Sequence, residues 1–131
     1  MAPPGREETE ISVVFVDVRG FTSLSEKLSP GELARVMNGF YNASSGVVLR
    51  LDGTVDKFVG DQIMAFFGAP FEPRKHTARA VEAAREIVKA TTKISNVLRV
   101  GGAVSTGMAF VGNVGGAAAG RSRPRRGAAD R

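Results

Sequence analysis

The chain has 131 residues, 43% hydrophobic and 24% charged, with a formal net charge of +5, a composition ordinary for one globular domain. It contains no cysteine, which excludes disulfides and thiolate metal sites and agrees with a reducing cytosol. No run reaches the roughly 18 apolar residues of a membrane span, and the first residues lack the apolar core of a signal peptide, so a cytoplasmic location is expected.

Residues 1–10 are Pro-rich and then acidic and read as a flexible leader. Ile11 to Val18 is strongly β-branched, with Val14, Val16 and Val18 on one face and Val13, Phe15 and Asp17 on the other. Thr22 or Ser23 can cap a short turn. Ser29-Pro30-Gly31-Glu32 is a helix start with Pro at the first helical position and Glu at the third. Apolar residues from Leu33 to Leu51 recur at helical spacing, so a long helix is predicted to about Arg50, ended by Asp52-Gly53.

Thr54–Val59 and Gln62–Phe67 read as two strands of a hairpin through Gly60-Asp61. Arg74–Thr92 is predicted helical, with Ala80, Ala83, Ala84, Ile87 and Thr91 as its buried stripe. Leu98–Thr106 and Met108–Val114 read as a second strand pair around Gly107. This β-α-β-β-α-β-β order has no repeated crossover, and it points to an α+β layer: an antiparallel sheet covered by helices. Met37, Phe40, Phe66 and Phe67 sit at core spacing.

After Gly116 the composition shifts to Ala, Gly, Arg, Pro and Ser without apolar periodicity. Five arginines lie here (Arg121, Arg123, Arg125, Arg126, Arg131) against one acid, Asp130. The remaining 13 basic and 12 acidic residues leave positions 1–116 at a net of +1. The basic character therefore belongs to a solvated tail, with nucleic-acid binding through its arginines as the weaker alternative.

Two carboxylates stand out. Asp17 ends an apolar strand and is followed by Gly20, whose small size lets backbone N–H groups approach an anion. Asp61 follows Gly60 at the hairpin. Each has an everyday alternative, a turn cap for Asp17 and ordinary hairpin chemistry for Asp61. Together, on neighbouring strands, they suit a hard divalent cation held between protein and phosphates. Lys57 is either a solvated edge lysine or a donor to a base or phosphate. His76, the only histidine, is expected at the surface or as a cap.

Three segments carry a family resemblance. Phe15-Val16-Asp17-Val18-Arg19-Gly20-Phe21-Thr22, then Lys57-Phe58-Val59-Gly60-Asp61, then Ser105-Thr106-Gly107 leading to Gly112-Asn113-Val114-Gly115 resemble the catalytic domain of class III nucleotidyl cyclases. The resemblance covers residues 11–116 and implies a ferredoxin-like core. It further implies that Asp17 and Asp61 hold two Mg²⁺ or Mn²⁺ ions per site. The backbone of Val18, Arg19, Gly20, Phe21 and Thr22 would cradle the β- and γ-phosphates. Lys57 matches the adenine-selecting lysine, which favours ATP over GTP and cyclic AMP with pyrophosphate as products. The family pattern also implies a head-to-tail homodimer, or pairing with a related cyclase chain, in which Lys57 serves the symmetry-related site.

The chain departs from that pattern after residue 116. The family's Asp-x-x-Asn-x-x-x-Arg segment, whose Arg stabilises the transition state, has no counterpart in residues 117–131. No catalytic Asn or Arg is recognisable. The expectation is a domain lacking its last strands and helix, through truncation or frameshift, with reduced or no activity. The alternative is a catalytically silent module for nucleotide binding or dimerisation.

Overall fold

The computed structural model describes residues 7–70, 72–95 and 98–111. The elements run β1 (Glu7–Val18), α1 (Phe21–Lys27), α2 (Pro30–Arg50), β2 (Thr54–Val59), β3 (Gln62–Phe67), α3 (His76–Ile94) and β4 (Val100–Val111). The strands form one antiparallel sheet in the order β2-β3-β1-β4. The helices lie on one face of it, which is the expected α+β arrangement.

Alternation along β1 decides the two faces. Val14, Val16 and Val18 join Ile63, Ala65 and Phe67 of β3 beneath the helices, together with Met37, Phe40, Val47 and Val48 of α2 and Ala80, Ala83 and Ile87 of α3. Ile11, Val13, Met64 and Phe66 form a smaller apolar cluster on the opposite face. The small residues of α3 let that helix lie close to the sheet, as their spacing in the sequence predicts.

α2 starts on a full capping box. The Glu32 amide donates to Ser29 Oγ at 3.2 Å, and the Ser29 amide donates to Glu32 Oε1 at 2.9 Å. That bonding, first the amide contact and then the hydroxyl, holds the Glu32 carboxyl below its usual pKa. The helix stops where Asp52 takes φ 64° and Gly53 comes against the Phe67 ring. A Cβ on Gly53 would lie 2.5 Å from that ring, so only glycine fits there.

Four local expectations change. β1 begins at Glu7, four residues before the apolar run, because it pairs along its whole length with β4, from Glu7 opposite Val111 to Val18 opposite Val100. A strand is set by backbone pairing, so the acidic residues at its start do not stop it. For the same reason Gly107 is no turn: it lies opposite Ile11 inside one continuous β4. The turn after Gly20 is a seven-residue helix, with Gly20 rather than Thr22 or Ser23 at the cap. α3 begins at His76, after Lys75 in a left-handed conformation. Residues 112–131, which hold the end of the predicted Met108–Val114 strand, the Gly112-Asn113-Val114-Gly115 segment and the basic tail, lie outside the described residues.

The loop before α3 is held by Arg79. Its guanidinium donates to the carbonyls of Leu51 (2.8 Å), Arg74 (3.0 Å) and Glu72, and lies 5.7 Å from the centre of the Phe67 ring. One side chain thereby fastens the end of α2 to the loop that leads into α3.

Candidate active site

Asp17 is the last residue of β1 on the face away from the helices, flanked by Gln62 of β3 and Gly101 of β4. Its side chain is 47% exposed. The chain then turns at Gly20, whose φ of 63° is costly for a residue with a Cβ. Two backbone bonds fix this corner: the Val18 amide donates to the Asp61 carbonyl at 2.8 Å, and the Arg19 amide to the Arg99 carbonyl at 2.7 Å.

The first bond brings the two sequence-predicted aspartates into adjacent positions. Asp61 sits at the β2–β3 turn, where Gly60 also has positive φ, 56°. From the helix side the Tyr41 hydroxyl donates to the Gly60 carbonyl. Burial, and secondarily the charge of Asp61, push the Tyr41 phenol above its ordinary pKa. It therefore remains a donor at neutral pH.

Beside Asp17 lies a cleft of about 350 Å³ formed by Phe15, Arg19, Gln62 and the Gly101-Gly102 pair. The guanidinium of Arg19 occupies the space that a side chain at residue 101 would need, since a Cβ on Gly101 would lie 2.0 Å from it. Arg19 Nε stands 3.7 Å from Asp17 Oδ1. At this exposure the pair contributes little to stability, but it sets a cation beside the carboxylate.

Among the described residues no group of three or more His, Cys, Asp or Glu side chains gathers. Two carboxylates at a strand end and an adjoining turn are nevertheless the donor set that suits Mg²⁺, which keeps waters and takes its other oxygens from substrate phosphates. The residues present fit such an ion.

Within the candidate phosphate segment the amides divide. Those of Val18 and Arg19 are committed to the backbone bonds above. Gly20, Phe21 and Thr22 form the turn and the start of α1, where the first amides of a helix have no intrahelical acceptor.

Lys57 lies on β2 opposite Met64, with its side chain 32% exposed. It shares the open face of the sheet with Asp17 but stands two strands away, roughly 10 Å at the usual interstrand spacing. Within one chain Lys57 therefore does not stand beside Asp17.

His76 corrects its expected surface or capping role. Its side chain is only 12% exposed. Nδ1 lies 2.7 Å from Ser12 Oγ and Nε2 lies 3.0 Å from Glu10 Oε1, while Ser12 also meets Thr106 Oγ1 at 2.8 Å. Ser12 is completely buried, so no substrate reaches this Ser-His-Glu chain. It ties β1, β4 and the start of α3 together. Sequence reasoning missed it because Ser12 sits in an apolar strand 64 residues from its partner.

The adenylate and guanylate cyclase catalytic domain family matches residues 4–123. The chain is 30% identical to adenylate cyclase 1 of Rhizobium meliloti over 114 residues, which are 81% of this chain and 17% of that protein. Its structure is similar to the adenylyl cyclase CyaB from P. aeruginosa (31% identity, TM-score 0.78, 92% of this chain and 66% of that one). It is likewise similar to the guanylyl cyclase Cya2 (33% identity, TM-score 0.72, 96% and 66%). The chain thus spans about a sixth of the length of that curated relative and just under two thirds of each solved chain.

Proposed function

Since the chain belongs to the adenylate and guanylate cyclase catalytic domain family, we propose that it is an adenylate cyclase-type domain that converts ATP to 3′,5′-cyclic AMP and pyrophosphate. The observation that supports the reading is the Val18–Asp61 backbone bond, which ties the end of β1, where Asp17 lies, to the hairpin turn that carries Asp61.

Asp17 and Asp61 would hold Mg²⁺ or Mn²⁺. When bound, such ions neutralise charge on the attacking ribose 3′-oxygen and on the leaving pyrophosphate. The amides of Gly20, Phe21 and Thr22 then receive the phosphate oxygens. Val18 and Arg19 act as the scaffold of that cradle, because their own amides are already bonded. In the reaction the ribose 3′-hydroxyl gives up its proton to water, its oxygen bonds to the α-phosphorus, and the bond from that phosphorus to the pyrophosphate oxygen breaks. Orienting that in-line geometry is the work of the corner between β1, α1 and the hairpin.

Preference for ATP rests on Lys57. The relatives do not decide it, since identity to an adenylyl and to a guanylyl cyclase is nearly equal. The separation of Lys57 from Asp17 within one chain supports a dimer, each copy lending its lysine to the other's site.

A catalytically silent nucleotide-binding or dimerisation module is the second reading. It is favoured by the absence of an Asp-x-x-Asn-x-x-x-Arg pattern in residues 117–131. Incubation of the purified protein with Mn²⁺ and either ATP or GTP separates the two. Cyclic AMP that forms with wild type and disappears with Asp17→Ala supports the enzyme. Protection from melting by ATP without product supports the silent module, and neither effect overturns both.

A further inference from the structure

In a regular strand Val55 and Lys57 would face the same way, and Asp56 the other. The β2–β3 register departs from this. Val55 pairs with Ala65 and Lys57 with Met64, so that two residues of β2 are set against one step of β3. The irregularity is a β-bulge at Asp56.

Its effect can be followed through the partners. Ala65 belongs to the core beneath the helices, and Met64 to the cluster on the open face. Phe58, the next residue, pairs with Ile63 of the helix-side core, and its ring lies 4.7 Å from that of Tyr41 on α2. The bulge therefore turns Lys57 over. Without the extra residue the ammonium would point into the apolar layer under the helices, where an uncompensated charge is expelled. With it, Lys57 shares the open face with Asp17.

The same bulge lets the side chains of two successive residues approach each other. Lys57 Nζ is 3.9 Å from Asp56 Oδ2, and the Asp56 side chain is only 1% exposed. A carboxylate so far removed from water acts on a neighbouring ammonium with less screening than a surface acid does.

We propose that Asp56 is a positioning residue for Lys57: its buried carboxylate, delivered by the bulge, holds the ammonium over the open face of the sheet and so sharpens selection of the purine base. The inference rests on the base-selecting reading of Lys57 given above. It assigns Asp56 no contact with nucleotide.

The experiment measures binding of ATP and of GTP to the full chain by calorimetry at fixed Mn²⁺, for wild type, Lys57→Ala, Asp56→Asn and Asp56→Glu. The expected result is a fall of roughly tenfold in the ATP-over-GTP preference with Asp56→Asn, the scale on which a supporting group acts through the group it orients. Partial recovery is expected with Asp56→Glu, with the loss appearing for ATP and hardly for GTP. Equal weakening of both nucleotides, or an unchanged preference, overturns the proposal. If Lys57→Ala leaves the preference unchanged, it is the base-selecting reading that fails.

Nuclear relaxation of the lysine side chains in the wild-type protein gives a second test that no folding defect can obscure. Lys57 Cε is expected to be more ordered than Cε of the exposed Lys27, Lys75 and Lys93. Equal mobility overturns the proposal.

Discussion

The amide of Val18 donates to the carbonyl of Asp61 at 2.8 Å, and that bond joins two segments more than forty residues apart at one corner of the sheet. The bond belongs to the backbone, so it does not depend on either carboxylate.

Asp17→Asn and Asp61→Asn are therefore expected to keep the fold while losing affinity for divalent cations. Thermal unfolding should change by no more than about 0.5 kcal/mol, as at other partly exposed positions. Titration with Mn²⁺ followed by paramagnetic resonance should show binding by wild type that each variant weakens severely.

The two tight glycines are expected to behave oppositely. Gly53→Ala drives a Cβ to 2.5 Å from the buried Phe67 ring and should cost about 1–3 kcal/mol in denaturant unfolding. At Gly101→Ala the nearest atoms a Cβ meets are those of the Arg19 guanidinium, the end of a flexible, exposed side chain that can swing aside. Its stability change should stay below about 1 kcal/mol.

Arg79→Ala removes several hydrogen bonds to carbonyls at once, including those of Leu51 and Glu72. A loss of about 2–4 kcal/mol in unfolding free energy is expected. Arg79→Lys should recover little of it, because an ammonium lacks the planar fork that reaches several acceptors together.

Tyr41 gives a pH dependence with a definite sign. Its pKa is raised above the ordinary 10.0, by burial first and by Asp61 second. Above pH 10 the unfolded chain therefore gives up the phenolic proton while the folded chain still keeps it, and stability falls as pH rises. Tyr41→Phe should flatten this alkaline branch of the stability curve. At neutral pH it should lose about 1 kcal/mol with the bond to Gly60.

Much of the fold is legible locally. The β-branched alternation of Ile11–Val18, the Ser29–Glu32 capping box and the small-residue stripe of α3 each appear where their short-range chemistry places them. Asp17, Gly20, Gly60 and Asp61 were equally visible, because a charge at the end of an apolar strand and a glycine beside it stand out without any knowledge of the partner strand.

What the sequence by itself determined was β1, α2, the β2–β3 hairpin and α3, since propensity, capping and alternation act over a few residues. Tertiary structure alone decided that Gly107 lies inside a continuous strand, because twelve residues of β1 offer it a full partner. It alone joined His76 to the buried Ser12 and to Glu10. It alone turned Lys57 onto the open face, through a bulge that shows only as a register between two strands. In each case the deciding contact is made by residues distant in sequence, and no local pattern encodes which of them will meet.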